Sequence, residues 1–336
     1  SSDVCSSDLS IREGRPFEPG PMGIDALLQV LAVGCGASLG REQAPRMVAA
    51  LFTEGCLRPG SFTPELRRIL MATATGAGLA AVYNVPVAGA LFTLGVLRSR
   101  RPVAVAAALA TSVIATLTVW PLTHGAPTYP WPATQVTEAA YLFTLVAMPM
   151  AALAGLGFNA LVAKARPRTP PSSRTLIPRI GFAGLVLGAA SIWMPNLPGN
   201  GKSIVLETLA GGDTLGLVAV AVVLKPLLTA LFLRAGAVGG LLTPALSTGV
   251  ALGACAALVI QDWGGTASVP ALAIIAGAAM VAVTQNAPVI AAVFAAELMR
   301  PPLEVAAMLV VAALGAHRLG IAISGQRGQD PGTAKP

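Results

Sequence analysis

The sequence predicts an all-α integral membrane protein built from two related halves. Of its 336 residues, 54% are hydrophobic and only 11% are charged, with a mean hydropathy of +0.72. A soluble domain carries about 25% charged residues, so most of this chain has to be solvated by lipid. Aromatic residues are only 5% while glycine reaches 36, a composition suited to helices packed closely through small side chains. The third observation is an internal repeat. Asn84-Val-Pro-Val-Ala-Gly-Ala-Leu-Phe92 aligns without a gap with Asn286-Ala-Pro-Val-Ile-Ala-Ala-Val-Phe294, and in that register Arg98 meets Arg300. Gly40–Pro45 is likewise echoed by Gly239–Pro244.

Taken in order, Ser1–Leu9 fits nothing that follows and lacks the basic start and apolar core of a signal peptide. It reads as translated sequencing adapter, so the native upstream part is expected to be missing. The first half covers 10–163. Ala26–Leu39 and Pro45–Phe52 are apolar but shorter than the roughly 20 residues that span a bilayer. Arg67–Leu97 is long, and Asn84-Val85-Pro86 should split it into two helices. Pro102–Trp120 and Glu138–Ala163 are full spans. A basic linker at 164–179 leads to the second half, 180–324. There Ile180–Met194 precedes a polar turn at Pro195–Lys202, and Leu215–Leu233 carries Lys225 in its interior. Leu241–Ile260, Val269–Val283, Pro288–Met299 and Leu303–Ile323 complete it, with the third and fourth of these parted by Thr284–Ala287. The polar tail 325–336 is expected to be disordered. Short and interrupted apolar segments in matching places of two halves point to a transporter or channel core.

The net charge of +7 reads as topology and not as nucleic-acid binding. Basic residues gather at Arg98–Arg101 and at Lys164–Arg179, whereas Pro121–Thr137 has none apart from His124. The positive-inside rule puts the first two stretches in the cytoplasm and the third outside, in a multi-pass protein of the inner or plasma membrane. Cys5, Cys35, Cys56 and Cys255 lack metal or redox spacing, and His124 and His317 lie far apart. With no HExxH, CxxC or GxSxG pattern, neither an enzyme nor a cofactor is indicated.

The chemistry therefore concentrates in Gly40-Arg-Glu-Gln-Ala-Pro45. A charge at membrane depth costs at least about 2.5–3.5 kcal/mol and so tends to face a pathway or a partner. Gly40 permits a tight turn, and Pro45 suits the first turn of a helix, whose free N–H groups and positive dipole end favour an anion. If the halves are inverted, Gly40–Pro45 and Gly239–Pro244 face each other near the midplane and form an anion site without a lysine. The bland alternative is a surface ion pair between Arg41 and Glu42. Elsewhere the bland readings are favoured. Lys225 snorkels to the interface, Glu297 reaches headgroups or pairs with Arg300, and Tyr83 and Trp193 are packing or interfacial aromatics.

These residues resemble the CLC family of chloride channels and proton/chloride antiporters. Gly40–Pro45 is similar to its Gly-Arg/Lys-Glu-Gly-Pro motif, with Gln-Ala replacing Gly. Gly239-Gly-Leu-Leu-Thr-Pro244 is similar to Gly-Gly-Ile/Val-Phe-x-Pro, with Leu242 for Phe. Ala80-Ala-Val-Tyr-Asn-Val-Pro-Val-Ala-Gly89 resembles Ala-Ala-x-Phe-Asn-x-Pro-x-Ala-Gly. Leu224-Lys225, ahead of the second glycine-rich turn, also looks like the family. The resemblance covers Pro21 to Ser324. It implies a CLC-type polytopic bundle of tilted, broken and re-entrant helices in two inverted repeats, assembled as a homodimer. The subunit contact would use Leu91–Thr118 and Pro288–Leu314.

By the same resemblance Glu42 is the gating carboxylate, and Gly40, Arg41, Gly239, Gly240, Leu241 and Leu242 border the anion. The expected substrate is chloride or a similar small anion. Three departures stand out. The serine motif upstream of Asp25 and the tyrosine after Leu319 are absent, and Gly95 and Val96 occupy the inner position where antiporters carry a glutamate. Those two residues favour passive, channel-like conduction over a proton-coupled chloride or fluoride antiporter. An unrelated inverted-repeat secondary transporter is the remoter alternative.

Overall fold

A computed structural model describes residues 19–57, 62–99, 101–167 and 173–325. The adapter-like start, Arg100, the centre of the basic linker and the polar tail after Gly325 lie outside them. Among the described residues the chain forms thirteen helices: α1 (Pro19–Gly34), α2 (Gln43–Cys56), α3 (Pro64–Tyr83), α4 (Pro86–Leu97), α5 (Pro102–Thr123), α6 (Glu138–Ala165), α7 (Ser173–Ser191), α8 (Lys202–Ala210), α9 (Leu215–Ala235), α10 (Leu242–Asp262), α11 (Val269–Thr284), α12 (Pro288–Met299) and α13 (Leu303–Ser324). Helices α5, α6, α9, α10 and α13 are long and apolar enough to cross a membrane.

The breaks fall where the backbone chemistry puts them. Asn84 caps α3 in the left-handed conformation, φ 58° and ψ 48°, and Pro86 opens α4 two residues later. Asparagine tolerates that region better than most side chains, and proline lacks the N–H that a first helical turn leaves unused. The second copy does the same, with Asn286 at φ 53° and Pro288 at the start of α12. Both helices then end on a left-handed arginine, Arg98 at φ 51° and Arg300 at φ 49°. Helices α4 and α12 pack antiparallel. Val87 at the start of α4 touches Glu297 at the end of α12, while Gly95 near the end of α4 faces Ile290 near the start of α12.

The core lies in the second half. Every residue of α11 from Pro270 to Thr284 is buried. Helix α10 reaches it through Gly249 and Gly253, where an added Cβ would come within 2.8 Å of the Ala276 carbonyl and 2.2 Å of the Leu272 carbonyl. Backbones that close require glycine. Outward, large apolar side chains stay exposed, among them Leu31 on α1, Ile114 on α5, Leu142 on α6 and Leu185 on α7. Such faces are stable against hydrocarbon and not against water.

The first helix is Pro19–Gly34 where the apolar segment was read as Ala26–Leu39, and two further segments depart from the sequence reading. Helix α8 occupies 202–210, where no helix was expected, because its nine residues mix Lys202 and Glu207 with apolar side chains between left-handed Gly201 and Gly211. Helix α6 continues to Ala165 and α7 begins at Ser173, so both ends of the stretch read as linker are helical.

Candidate functional site

Gly40 and Gly240 exchange two backbone hydrogen bonds. Gly40 N–H donates to the Gly240 carbonyl at 2.7 Å, and Gly240 N–H returns a bond to the Gly40 carbonyl at 2.9 Å. They form an isolated antiparallel bridge that ties the two glycine-rich turns together. Each turn runs directly into a helix, α2 after Glu42 and α10 after Leu241.

Glu42 occupies the N-cap position of α2, yet it caps a different helix. Its Oε1 accepts the Leu242 N–H at 2.8 Å and its Oε2 accepts the Thr243 hydroxyl at 3.2 Å. Leu242 opens α10, so the carboxylate sits where free amides and the helix dipole favour a negative charge. Only 3% of Glu42 is exposed, whereas Arg41 faces outward. A surface ion pair does not describe this carboxylate. An added Cβ on Gly40 would lie 2.1 Å from Oε2, and one on Gly240 would lie 2.1 Å from Oε1. The two glycines are thus the walls of a slot the size of a carboxylate. At Gly239 the backbone instead abuts Leu39, whose Cβ would be 2.6 Å from an added one. Leu241 is buried as the α10 N-cap.

Around the slot, Arg46 lies one turn along α2 with its guanidinium 4.0 Å from the Phe92 ring centre, a cation–π contact between α2 and α4. Ser38 and Thr229 pair their hydroxyls at 3.4 Å just ahead of Gly40. One turn before Thr229, Lys225 is wholly buried and does not snorkel. Its Nζ donates to the Leu197 carbonyl at 2.9 Å and the Gly199 carbonyl at 2.6 Å. The Gly199 N–H in turn bonds the Gly36 carbonyl at 2.8 Å, so α9, the 195–201 turn and the segment leading to Gly40 are laced together.

Glu297 takes backbone amides, and not Arg300, as its hydrogen-bond partners. It accepts the Val87 N–H at 2.9 Å and the Ala88 N–H at 2.7 Å, closing the start of α4. Gly95 is exposed, and Val96 is buried in a small apolar cluster with Ala50, Met71, Ala72, Leu97 and Ala104. No carboxylate stands at that inner position. Trp193 is 75% exposed, as an interfacial aromatic would be.

Sequence reasoning missed three groups that border the slot. Thr243 occupies the variable position of the second glycine motif, and only its location in the first turn of α10 could have singled it out. Tyr83, the last residue of α3, turns its ring edge-on to Phe294 at 5.6 Å and 80°. Tyr129, from the 124–137 connection, is buried with Arg41 and Glu42 among its charged neighbours.

The sequence profile described as voltage gated chloride channel matches residues 11–320. Among curated relatives, a ClcB-like chloride channel protein of Ralstonia nicotianae is 31% identical over 76% of this chain and 62% of its own length. The H(+)/Cl(-) exchange transporter ClcA of Cronobacter sakazakii is 28% identical over 69% of this chain and 51% of its own. The chain therefore spans between about half and two thirds of these relatives. A solved structure of a slow cyanobacterial Cl-/H+ antiporter superposes with a TM-score of 0.76 at 22% identity, covering 95% of this chain and 82% of that one. At that identity the likeness is one of fold.

Proposed function

The chain belongs to the CLC family of voltage-gated chloride channels, and from that premise we propose that it conducts chloride or a similar small anion through the slot now filled by Glu42. The observation that supports this most directly is the carboxylate on the Leu242 amide between Gly40 and Gly240. A slot that accommodates a carboxylate offers a small anion the same hydrogen-bond donors and the same dipole end. The ionised Glu42 side chain therefore competes with the permeating ion, and protonation ends the competition. In this proposal Gly40 and Gly240 make room for the ion, Leu242 donates to it, and Arg41, Gly239 and Leu241 shape the approach.

We favour passive conduction. An exchanger needs a titratable group that hands the proton inward from Glu42, since hydrocarbon offers no carrier, and Gly95 and Val96 offer none. The second reading, proton-coupled exchange, draws on the relative that is named an exchange transporter. We further propose two inverted halves and a homodimer joined through the segments Leu91–Thr118 and Pro288–Leu314, with lipid around the remainder. In liposomes containing the protein in its full-length form, anion efflux should be pH-dependent, and Glu42→Gln should flatten that dependence. A chloride gradient should drive no proton uphill; sustained uphill movement would establish exchange. Unchanged pH-dependent efflux in Glu42→Gln would remove Glu42 from the gate.

A further inference from the structure

Tyr83 is a buried tyrosine with its polar end left over. It is 2% exposed, its carbonyl is held by the Thr128 hydroxyl at 2.7 Å, and its ring is fixed edge-on against Phe294. The hydroxyl is buried and finds no properly aligned hydrogen bond. Its polar neighbours are the groups of the slot, the Glu42 carboxylate and the Thr243 hydroxyl, with Tyr129 and Arg41 beyond. A buried O–H with no hydrogen bond of ordinary geometry, only the Thr243 hydroxyl beside it, is costly and uncommon in a settled core, and here it adjoins an anion-sized space. The position is also one where the family signature quoted above has phenylalanine, so the ring answers to packing and the oxygen does not.

We propose that the Tyr83 hydroxyl is a ligand for the conducted anion, completing with the Leu242 N–H and the Thr243 O–H a three-donor site that Glu42 vacates. While Glu42 is in place its two oxygens take the Leu242 and Thr243 donors, and the phenol is left with the Thr243 oxygen beside it. A monatomic anion in the same slot accepts from every donor that faces it, and charge-assisted bonds are the strong ones. A phenol O–H is a directional donor, so it should favour anions that accept hydrogen bonds strongly over diffuse ones. This inference rests on the reading of Glu42 as an occupant of the anion site and adds a residue to that site.

The experiment uses the full-length protein in detergent, with chloride and thiocyanate titrated by calorimetry. In a Glu42→Ala background chloride should bind more tightly than in the wild type. Adding Tyr83→Phe should weaken chloride by about tenfold, the loss expected for one donor to a charged partner, and thiocyanate by much less. Tyr83→Phe keeps the ring against Phe294, and Tyr83→Leu, which removes the ring as well, separates packing from bonding. Equal chloride affinity in Glu42→Ala and the Tyr83→Phe double variant would overturn the inference while leaving Glu42 in its role. An equal loss for both anions, or a loss seen only with Tyr83→Leu, would assign Tyr83 to packing and overturn it too. No gain of chloride binding in Glu42→Ala would instead overturn the underlying reading.

Discussion

Glu42 and Glu297 are each carried by one half of the chain onto the opening amides of a helix in the other half, and they are held differently. Glu297 spends both oxygens on successive amides of α4 at 2.7 and 2.9 Å. Glu42 takes one amide of α10 at 2.8 Å and a long bond to a hydroxyl at 3.2 Å, with its own backbone N–H beside it, inside a slot walled by two glycines. The first arrangement is a latch, matched in shape to consecutive N–H groups. The second could pass its donors to another negative group of similar size. Two carboxylates on two helix starts thus divide by geometry into one that fastens and one that can yield.

The sharpest way to break this distinction is at the slot wall. Gly240→Ala puts a methyl group where Oε1 of Glu42 lies, and where the anion would lie. Efflux per folded protein should fall about 100-fold, or about 2.8 kcal/mol at the usual 1.4 per decade, and the loss should persist when Glu42→Ala is added. Recovery of flux in that double variant would show that the slot accommodates only the side chain. Next in size, Glu42→Ala should raise efflux at neutral pH about tenfold, a change of roughly 1.4 kcal/mol in site occupancy. In the wild type efflux should climb as pH falls, because the neutral carboxyl no longer competes, whereas the variant should stay flat.

For the latch the sign and the readout change. Glu297→Ala leaves two amides without a protein partner and should lower stability by about 2 kcal/mol, discounted from the 1.5–3 per charged bond because the group is partly exposed. Thermal melting in detergent should show it, with flux per folded protein and its pH profile unaltered. A changed pH profile would mean that Glu297 also takes part in gating. The smallest effect is the transplant. In the repeat register Glu297 aligns with Gly95, which has room for a Cβ at ordinary contact distance from Ile290. Gly95→Glu should close the start of α12 as Glu297 closes α4 and stabilise the protein by about 0.5–1 kcal/mol, the usual worth of an acidic group at a helix start. A drop in melting temperature would show that the two copies have diverged at this end.

Most of the scaffold was legible because its signals are local. Asn-x-Pro breaks α3 from α4 and α11 from α12 wherever tertiary packing puts them, and Pro288–Met299 was placed to the residue. Helix α8 was not, since nine residues of mixed polarity carry no periodicity strong enough to separate a helix from a turn. The facing of Gly40 and Gly240 could be argued from the repeat, and Glu42 from its charge in an apolar setting. The partners of Lys225 and Glu297 could not. Both side chains bond to backbone groups, carbonyls in one case and amides in the other, and a sequence does not say which main-chain groups a fold will leave unspent. Tyr83 escaped for a related reason, because its hydroxyl has meaning only once α3 and α10 are brought together.

The Gly40–Gly240 bridge also bears on how the protein is made. Its partners are separated by about 200 residues, which at a synthesis rate of roughly 5–20 residues per second is a wait of about 10–40 s. Throughout that interval Glu42 and the free amides of the first turn sit in a nascent half with no counterpart to satisfy them. Loop closure over so long a stretch is slow, so the slot at Glu42 is among the last features to form, and the first half must tolerate an unpaired carboxylate until the second arrives. Ribosome-stalled chains ending shortly before and well after residue 262 should differ in the reactivity of a cysteine placed at Ala37, which is buried just ahead of the bridge.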